Sequence, residues 1–293
     1  MSTMATTLAN EAGRTAIIAG GGLLPLEIAR GLAALGQTPF VIIAKGEVED
    51  PAALKTYPHV ELDLEQVGMV RRLLKHHRVS RVVLAGTIAR RPRIGALRPI
   101  LPLIPVIPRF IAALASGDDA LLRTVIGYIE AAGVKVVGAH EILPDLLVAE
   151  GVHTTKKPSK DDRRNIEAAF VAAKAIGELD IGQAAVAIGG RAIALEGIEG
   201  TDGLLERVAA LRGHGRLAGR TGGVLVKCAK PGQDLRADLP GIGVNTVEAA
   251  HKAGLNGIAV EAERALGLGL GELIARADAL GLFVVGLPKT GAK

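Results

Sequence analysis

The stretch Thr15–Pro25, TAIIAGGGLLP, decides how the chain is to be folded. Thr15 to Ala19 reads as a short buried strand and Gly20-Gly21-Gly22 as a turn. Pro25 then falls in the first turn of a helix, where its missing N–H costs nothing. Strand, glycine turn and helix N-terminus make a phosphate-cradling arrangement, because unpaired N–H groups point at a ligand there. GGGLLP nevertheless departs from G-x-G-x-x-G. The next strand, Phe40 to Ala44, also ends without an acidic residue to grip a ribose. A nicotinamide-dependent oxidoreductase therefore rests on Gly20 to Gly22 alone, and the same glycines would serve close helix–strand packing.

Outward from this stretch the pattern repeats. Phe40–Ala44 is a second strand, Leu64–His77 a helix and Arg81–Ala85 a third strand ending at Gly86-Thr87. A helix over Asp118–Ala132 and a strand at Lys135–Val137 follow. Strands alternating with helices predict a parallel sheet covered on both faces, with ligands beyond the strand C-termini. That places Gly20, Gly21, Gly22, Thr87, Arg90 and Arg91 at one nucleotide site. Between them Leu97–Phe110, LRPILPLIPVIPRF, carries prolines at 99, 102, 105 and 108. This spacing favours an extended polyproline-like path, either a wall packed across the sheet or an exposed apolar lip for acyl chains or a bilayer. Gly117-Asp118-Asp119 then supplies helix-capping residues.

The texture changes at Gly151–Ser159, GVHTTKKPS, which reads as a linker between a domain over 1–150 and another over 151–293. The second half alternates again. It has a helix Lys160–Gly177, strands Gln183–Ile188 and Arg191–Glu196 joined by the hairpin signal Gly189-Gly190, and a helix Gly203–Leu211. A strand Gly222–Cys228, a helix Val247–Ala253, a strand Gly257–Val260, a helix Gly269–Leu280 and a strand Phe283–Gly286 complete it. The expected fold is α/β: an N-terminal Rossmann-like parallel-sheet domain plus a second C-terminal α/β domain.

Composition narrows the function. Aromatic residues are 2% of the 293 and Trp is absent, so the core is aliphatic and stacking platforms for nucleic acid are lacking. The net charge of +5 carries no long basic run and suits anionic small molecules or an anionic membrane surface. The single Cys228 excludes an intramolecular disulfide and reads as a buried filler. The opening MSTMATTLANEAGR has no apolar signal core, which predicts a cytoplasmic protein.

Chemistry concentrates in Val226–Thr246, VKCAKPGQDLRADLPGIGVNT. Prolines and glycines break regular structure there, and ordered loops held by a scaffold commonly carry function. Lys227, Lys230 and Arg236 can hold phosphate oxygens, while Asp234 and Asp238 can bind a divalent metal or take a proton from water. Gln233, Asn245 and Thr246 would orient water or a sugar phosphate, although Asn245 would equally cap the helix expected at Val247. Glu199, Thr201 and Asp202 are candidate contacts of a second subsite, Asp202 equally a helix cap.

GDDALLR (Gly117–Arg123), VGAHEILPDLL (Val137–Leu147), DIGQ (Asp180–Gln183), EGTD (Glu199–Asp202) and KPGQDLRADLPGIG (Lys230–Gly243), in this order, resemble UDP-2,3-diacylglucosamine pyrophosphatases. The likeness is to the two-domain form unrelated to metallophosphoesterases, and it extends from about Ala16 to Leu287. It implies hydrolysis of UDP-2,3-diacylglucosamine to UMP and 2,3-diacylglucosamine 1-phosphate (lipid X) in lipid A synthesis, with Mg2+. It further implies that the N-terminal domain takes the uridine nucleotide and the C-terminal one the acylated sugar phosphate. The critical aspartate of the family's R-x-D-L-P element falls on Asp238. Asp238 and Asp234 become the expected metal ligands, with Lys230 and Arg236 beside them. A homodimer and transient contact with the cytoplasmic face of the inner membrane are implied as well. The competing readings are a non-catalytic nucleotide-sugar or lipid binder and the oxidoreductase.

Overall fold

The computed structural model describes residues 13–90, 93, 107–116 and 118–288. The chain divides into two compact units, Met1–Pro144 and Asp145–Lys293.

In the first unit, apolar runs too short for helices form β1 (Arg14–Ala19), β2 (Phe40–Ala44) and β4 (Val79–Ala85), joined by β5 (Lys135–Val136) and by β3 (His59–Leu62), whose alternating HVEL was not expected as a strand. They pair in the order β3-β2-β1-β4-β5, every pair parallel. Helix α1 (Leu24–Ala34) opens with Pro25 in its first turn, as its fixed φ favours. Strand order reverses between β1 and β4, so the ends of these two strands border the crevice where such sheets take ligands. The helix expected over Leu64–His77 is 3-10 turns at Leu64–Met69 followed by α2, Val70–His76. Gln66, whose side chain caps back onto the Asp63 N–H, leaves helical geometry and kinks the 3-10 segment within itself. Of the proline-rich segment, residues 97–106 lie outside the described residues, as do Arg91 and Gly117. Its last four residues are not extended but open helix α3 (Ile107–Ser116), with Phe110 buried edge-on to Tyr128 of α4 (Asp118–Glu130).

In the second unit, the stretch expected as a linker is part of the sheet. Gly151–Val152 is β6, which pairs antiparallel with β13 (Phe283–Leu287). Helix α5 (Lys160–Glu178) starts at Ser159, whose Oγ accepts from the Asp162 N–H while the Asp162 carboxylate accepts from Ser159 N. Strands β7 (Ala184–Ile188) and β8 (Arg191–Leu195) join through Gly189 and Gly190. Both have positive φ, as the tightest hairpin turn requires. Helix α6 (Gly200–Ala210), β9 (Val224–Lys227), β10 (Gly241–Ile242) and α7 (Val244–Lys252) come next. Then follow β11 (Gly257–Glu261), β12 (Leu266–Gly267) and α8 (Leu270–Ala279) before β13. The six-stranded mixed sheet runs β6-β13-β11-β9-β7-β8, with β10 and β12 a separate parallel pair.

Period-two alternation splits this sheet into two apolar faces. Ala184, Val186, Leu225, Ile258 and Val260 pack with Leu204 of α6, Val247 of α7 and Leu273 of α8. Ala185, Val224, Val226, Cys228 and Ala259 pack with Ile166, Ala169 and Ala173 of α5. The alternation carries Lys227 to the α6–α8 side and Cys228 to the α5 side, both at the C-terminal end of β9.

Candidate active site

The second unit gathers charge at the ends of three apolar strands. Lys227 closes β9, Glu261 closes β11 and Glu196 follows β8. All three are buried. The Lys227 ammonium donates to the Gly241 carbonyl at 2.9 Å. Its burial lowers its pKa, against the opposing pull of the Glu196, Asp202 and Asp238 carboxylates. Glu196 is fixed at both oxygens, one accepting from Thr201 Oγ1 at 2.6 Å and the other from Gln183 N at 2.8 Å.

The loop that leaves β9 is stitched by its own side chains. The buried Gln233 amide accepts from Lys230 N at 2.9 Å. Because a backbone N–H must face the amide oxygen, the NH2 end faces Asp238 and donates to Asp238 Oδ2. Asp238 N also donates to the Asp234 carbonyl at 3.2 Å, closing the turn. Gln233 thereby sets the orientation of the Asp238 carboxylate. Lys230 Nζ reaches Asp180 Oδ1 at 2.7 Å. Asp180 has φ 54°, a left-handed conformation that aspartate tolerates better than most residues.

Asp234 and Asp238 differ in their surroundings. Arg236 grips Asp234 side-on, Nε to Oδ1 at 2.9 Å and Nη2 to Oδ2 at 2.7 Å, and its backbone N–H adds a third bond at 3.1 Å. Asp234 therefore holds the guanidinium in place. To ligate a metal it would have to exchange that bidentate partner. Among the described residues no three His, Cys, Asp or Glu side chains gather as a metal cage. Mg2+ does not need one, since it commonly binds through one or two carboxylates plus substrate phosphates.

Asn245 does not cap a helix. Helix α7 begins three residues earlier than expected, at Val244 with Gly243 as its cap, and Asn245 is exposed in its first turn. Thr246 Oγ1 accepts from Gly243 N at 3.3 Å. Glu199 pairs with Arg207 at 2.6 Å, and Asp202 lies inside the first turn of α6, not at its cap. Burial pushes the Cys228 thiol up to about 12, which suits a filler and not a nucleophile.

In the first unit the glycine turn differs from the expected cradle. Gly20 N donates to Ala85 O at 2.8 Å, and Gly21 exchanges bonds with Thr87 at 2.8 and 3.0 Å. These two N–H groups are thus engaged by main-chain carbonyls. The glycines serve close approach instead: a Cβ on Gly20 would lie 2.4 Å from Thr87 O. Gly22 N faces the Glu49 carboxylate at 3.3 Å, just ahead of α1, where an anion is favoured. Arg90 is bonded to Glu65 at 2.8 and 3.2 Å and lies 3.4 Å from Glu47.

That pairing makes a pH prediction. The Arg90 hydrogen bond, helped by the Arg93 N–H, lowers Glu65 from 4.5 to about 2. A depressed carboxylate stabilises the fold above its unfolded value and loses that contribution as pH falls through the folded one. Stability of the first unit should therefore fall between pH 4.5 and about 2. Thermal melts of wild type and Glu65→Gln should converge across that interval. A constant difference would contradict the pairing.

Sequence reasoning missed Glu196, Glu261 and Lys174 as site elements. For the two glutamates the available signal was a lone charge ending an otherwise apolar strand, in RAIALE and GIAVE; Lys174, one charge among many along α5, gave none.

Residues 14–146 match the LpxI N-terminal domain family and residues 149–285 the LpxI C-terminal domain family. A curated relative from Caulobacter vibrioides, "UDP-2,3-diacylglucosamine pyrophosphatase LpxI", is 40% identical over 275 residues, covering 92% of this chain and 96% of the relative. Two solved structures are also similar. A putative NAD-dependent epimerase/dehydratase from Methylobacillus flagellatus is 17% identical, with a TM-score of 0.25, over 51% of this chain and 45% of that one. Isoflavone reductase is 12% identical, with a TM-score of 0.28, over 94% and 78%. At these scores neither bears on the fold or the activity.

Proposed function

The chain belongs to the LpxI family, and on that premise we infer that it hydrolyses the pyrophosphate bond of UDP-2,3-diacylglucosamine, releasing UMP and lipid X. The observation that carries this is the 40% identity to the curated pyrophosphatase along 96% of that relative's length. The charge distribution supports it. A pyrophosphate cleavage needs cations for its oxygens, and Lys227, Lys230 and Arg236 lie along one strand end and the loop that leaves it.

Asp238 takes the central role in this reading. Its carboxylate, oriented by Gln233, holds Mg2+ or accepts the proton of the attacking water. Bound Mg2+ would supply charge for the phosphate oxygens and polarise phosphorus. Asp234 sets Arg236 toward the substrate through its bidentate grip. Thr201 and Gln183 N keep Glu196 in place beside Lys227. Asn245 and Thr246, at the start of α7, and Glu199 line the sugar-phosphate side. Gly22, Thr87 and Arg90, at the β1–β4 crevice, take the uridine nucleotide, with Gly20 and Gly21 shaping its floor. The substrate's acyl chains bring the enzyme to the cytoplasmic face of the inner membrane as a peripheral protein. Among the described residues no helix is long and apolar enough to cross a membrane. The assembly is a homodimer, as the family resemblance implies.

The test is UMP release from UDP-2,3-diacylglucosamine in magnesium and in a chelator. Release that stops on chelation supports the whole reading. Release unchanged by chelation refutes the magnesium assignment. Binding of intact substrate without any UMP would make the chain a nucleotide-sugar binder.

A further inference from the structure

The β9 ladder stops at Cys228, whose N–H donates to Gln183 O at 2.9 Å. Ala229 is the next residue, and both of its backbone groups are held by side chains from elsewhere. Its N–H donates to Glu261 Oε2 at 3.3 Å, and its carbonyl accepts from Lys174 Nζ at 3.1 Å. The two side chains are bonded to each other at 2.7 Å. Glu261 is 1% exposed, and Arg264 stands 3.5 Å from its other oxygen. Lys174 also lies over the Phe170 ring at 5.5 Å. From Ala229 the restraint continues along the loop, from Lys230 N to the Gln233 amide and on to Asp238.

We propose that Lys174 and Glu261 are a positioning pair for the hydrolysis, clamping Ala229 by both backbone groups so that the loop bearing Lys230 and Asp238 leaves β9 on a fixed path. Lys174 is 24% exposed and Glu261 1%, and desolvation of the carboxylate offsets much of their attraction, so the pair is a poor source of net stability. Such a pair does impose register, and here the register it imposes belongs to the loop. A loop displaced by about 1 Å costs on the order of 10²-fold in rate without removing a catalytic group. The proposal rests on the reading above, in which this loop carries the chemistry.

The experiment compares full-length wild type, Glu261→Gln, Lys174→Met and Lys174→Arg by steady-state UMP release and by hydrogen–deuterium exchange. Expected are kcat losses of about 10- to 100-fold in the first two variants, with KM within about threefold of wild type. Amides across Ala229–Asp238 should exchange faster while those of β7 and β11 keep their protection. Lys174→Arg, which keeps charge and donor, should recover most of kcat. Unchanged kcat and loop exchange in both disruptive variants would overturn the clamp. So would uniform loss of protection across the unit, which is the signature of a merely structural role. If wild type releases no UMP, the functional reading fails, and loop exchange alone still decides the clamp.

Discussion

Asp238→Asn should lower kcat by about 10²- to 10⁴-fold, the range for removing a group that moves a proton or holds charge at the reacting centre, while leaving the fold intact. The asparagine keeps the side chain's shape, and its oxygen can still accept from the Gln233 NH2. Charge is therefore removed without orphaning a buried donor. Asp238→Ala should lose the same activity and in addition leave the Gln233 donor unpaired, costing about 1–3 kcal/mol. Stability and activity thus separate between the two variants. Thermal melts beside UMP release check this, and an Asp238→Asn enzyme within threefold of wild type would remove Asp238 from the chemistry.

Lys227→Met should also be severe, with kcat falling by about 10²- to 10³-fold, as for loss of a buried donor to a developing oxyanion. Methionine fills a similar volume, so packing at the end of β9 changes little. The variant loses the bond to Gly241 O and the positive charge among Glu196, Asp202 and Asp238. Lys227→Arg should not rescue, because the planar guanidinium does not fit a site shaped for one ammonium. Burial lowers the Lys227 pKa, so the alkaline limb of the wild-type pH profile should fall below the ordinary lysine range. For stability the sign is opposite. Between the lowered folded value and the unfolded 10.5 the unfolded chain binds the extra proton, so stability rises with pH there. Lys227→Met should show neither effect.

The fold was legible because its strands are short aliphatic runs punctuated by glycine, and aliphatic runs bounded by turns have few other readings. That the strands of the first sheet run parallel follows from the same alternation. Elements fixed by distant partners were less legible. Gly151–Val152 is a strand only because β13, more than 130 residues later, offers its edge. Its Gly, Thr, Lys and Pro neighbours disguise it as a linker. The start of α7 was hidden because Asn245 is itself a capping residue type, whereas the cap is the plain Gly243.

At the site, residue types within one loop were readable and their pairings were not. Asp234 and Asp238 look alike in sequence, yet one is bound by Arg236 two residues away and the other by Gln233. Lys174 is one charge among many on the face of α5, and its partner Glu261 lies 87 residues on. The glycines of β1 promised free N–H donors. The β4 end, with Ala85 and Thr87, supplies the carbonyls that engage two of them.

The most direct test of the central claim is hydrolysis of UDP-2,3-diacylglucosamine in oxygen-18 water with magnesium, with the products read by mass spectrometry. The account predicts UMP and lipid X in equal amounts, with one oxygen-18 on one of the two phosphates, and almost no turnover in Asp238→Asn. Folded wild-type protein that binds the substrate but forms neither monophosphate would contradict it.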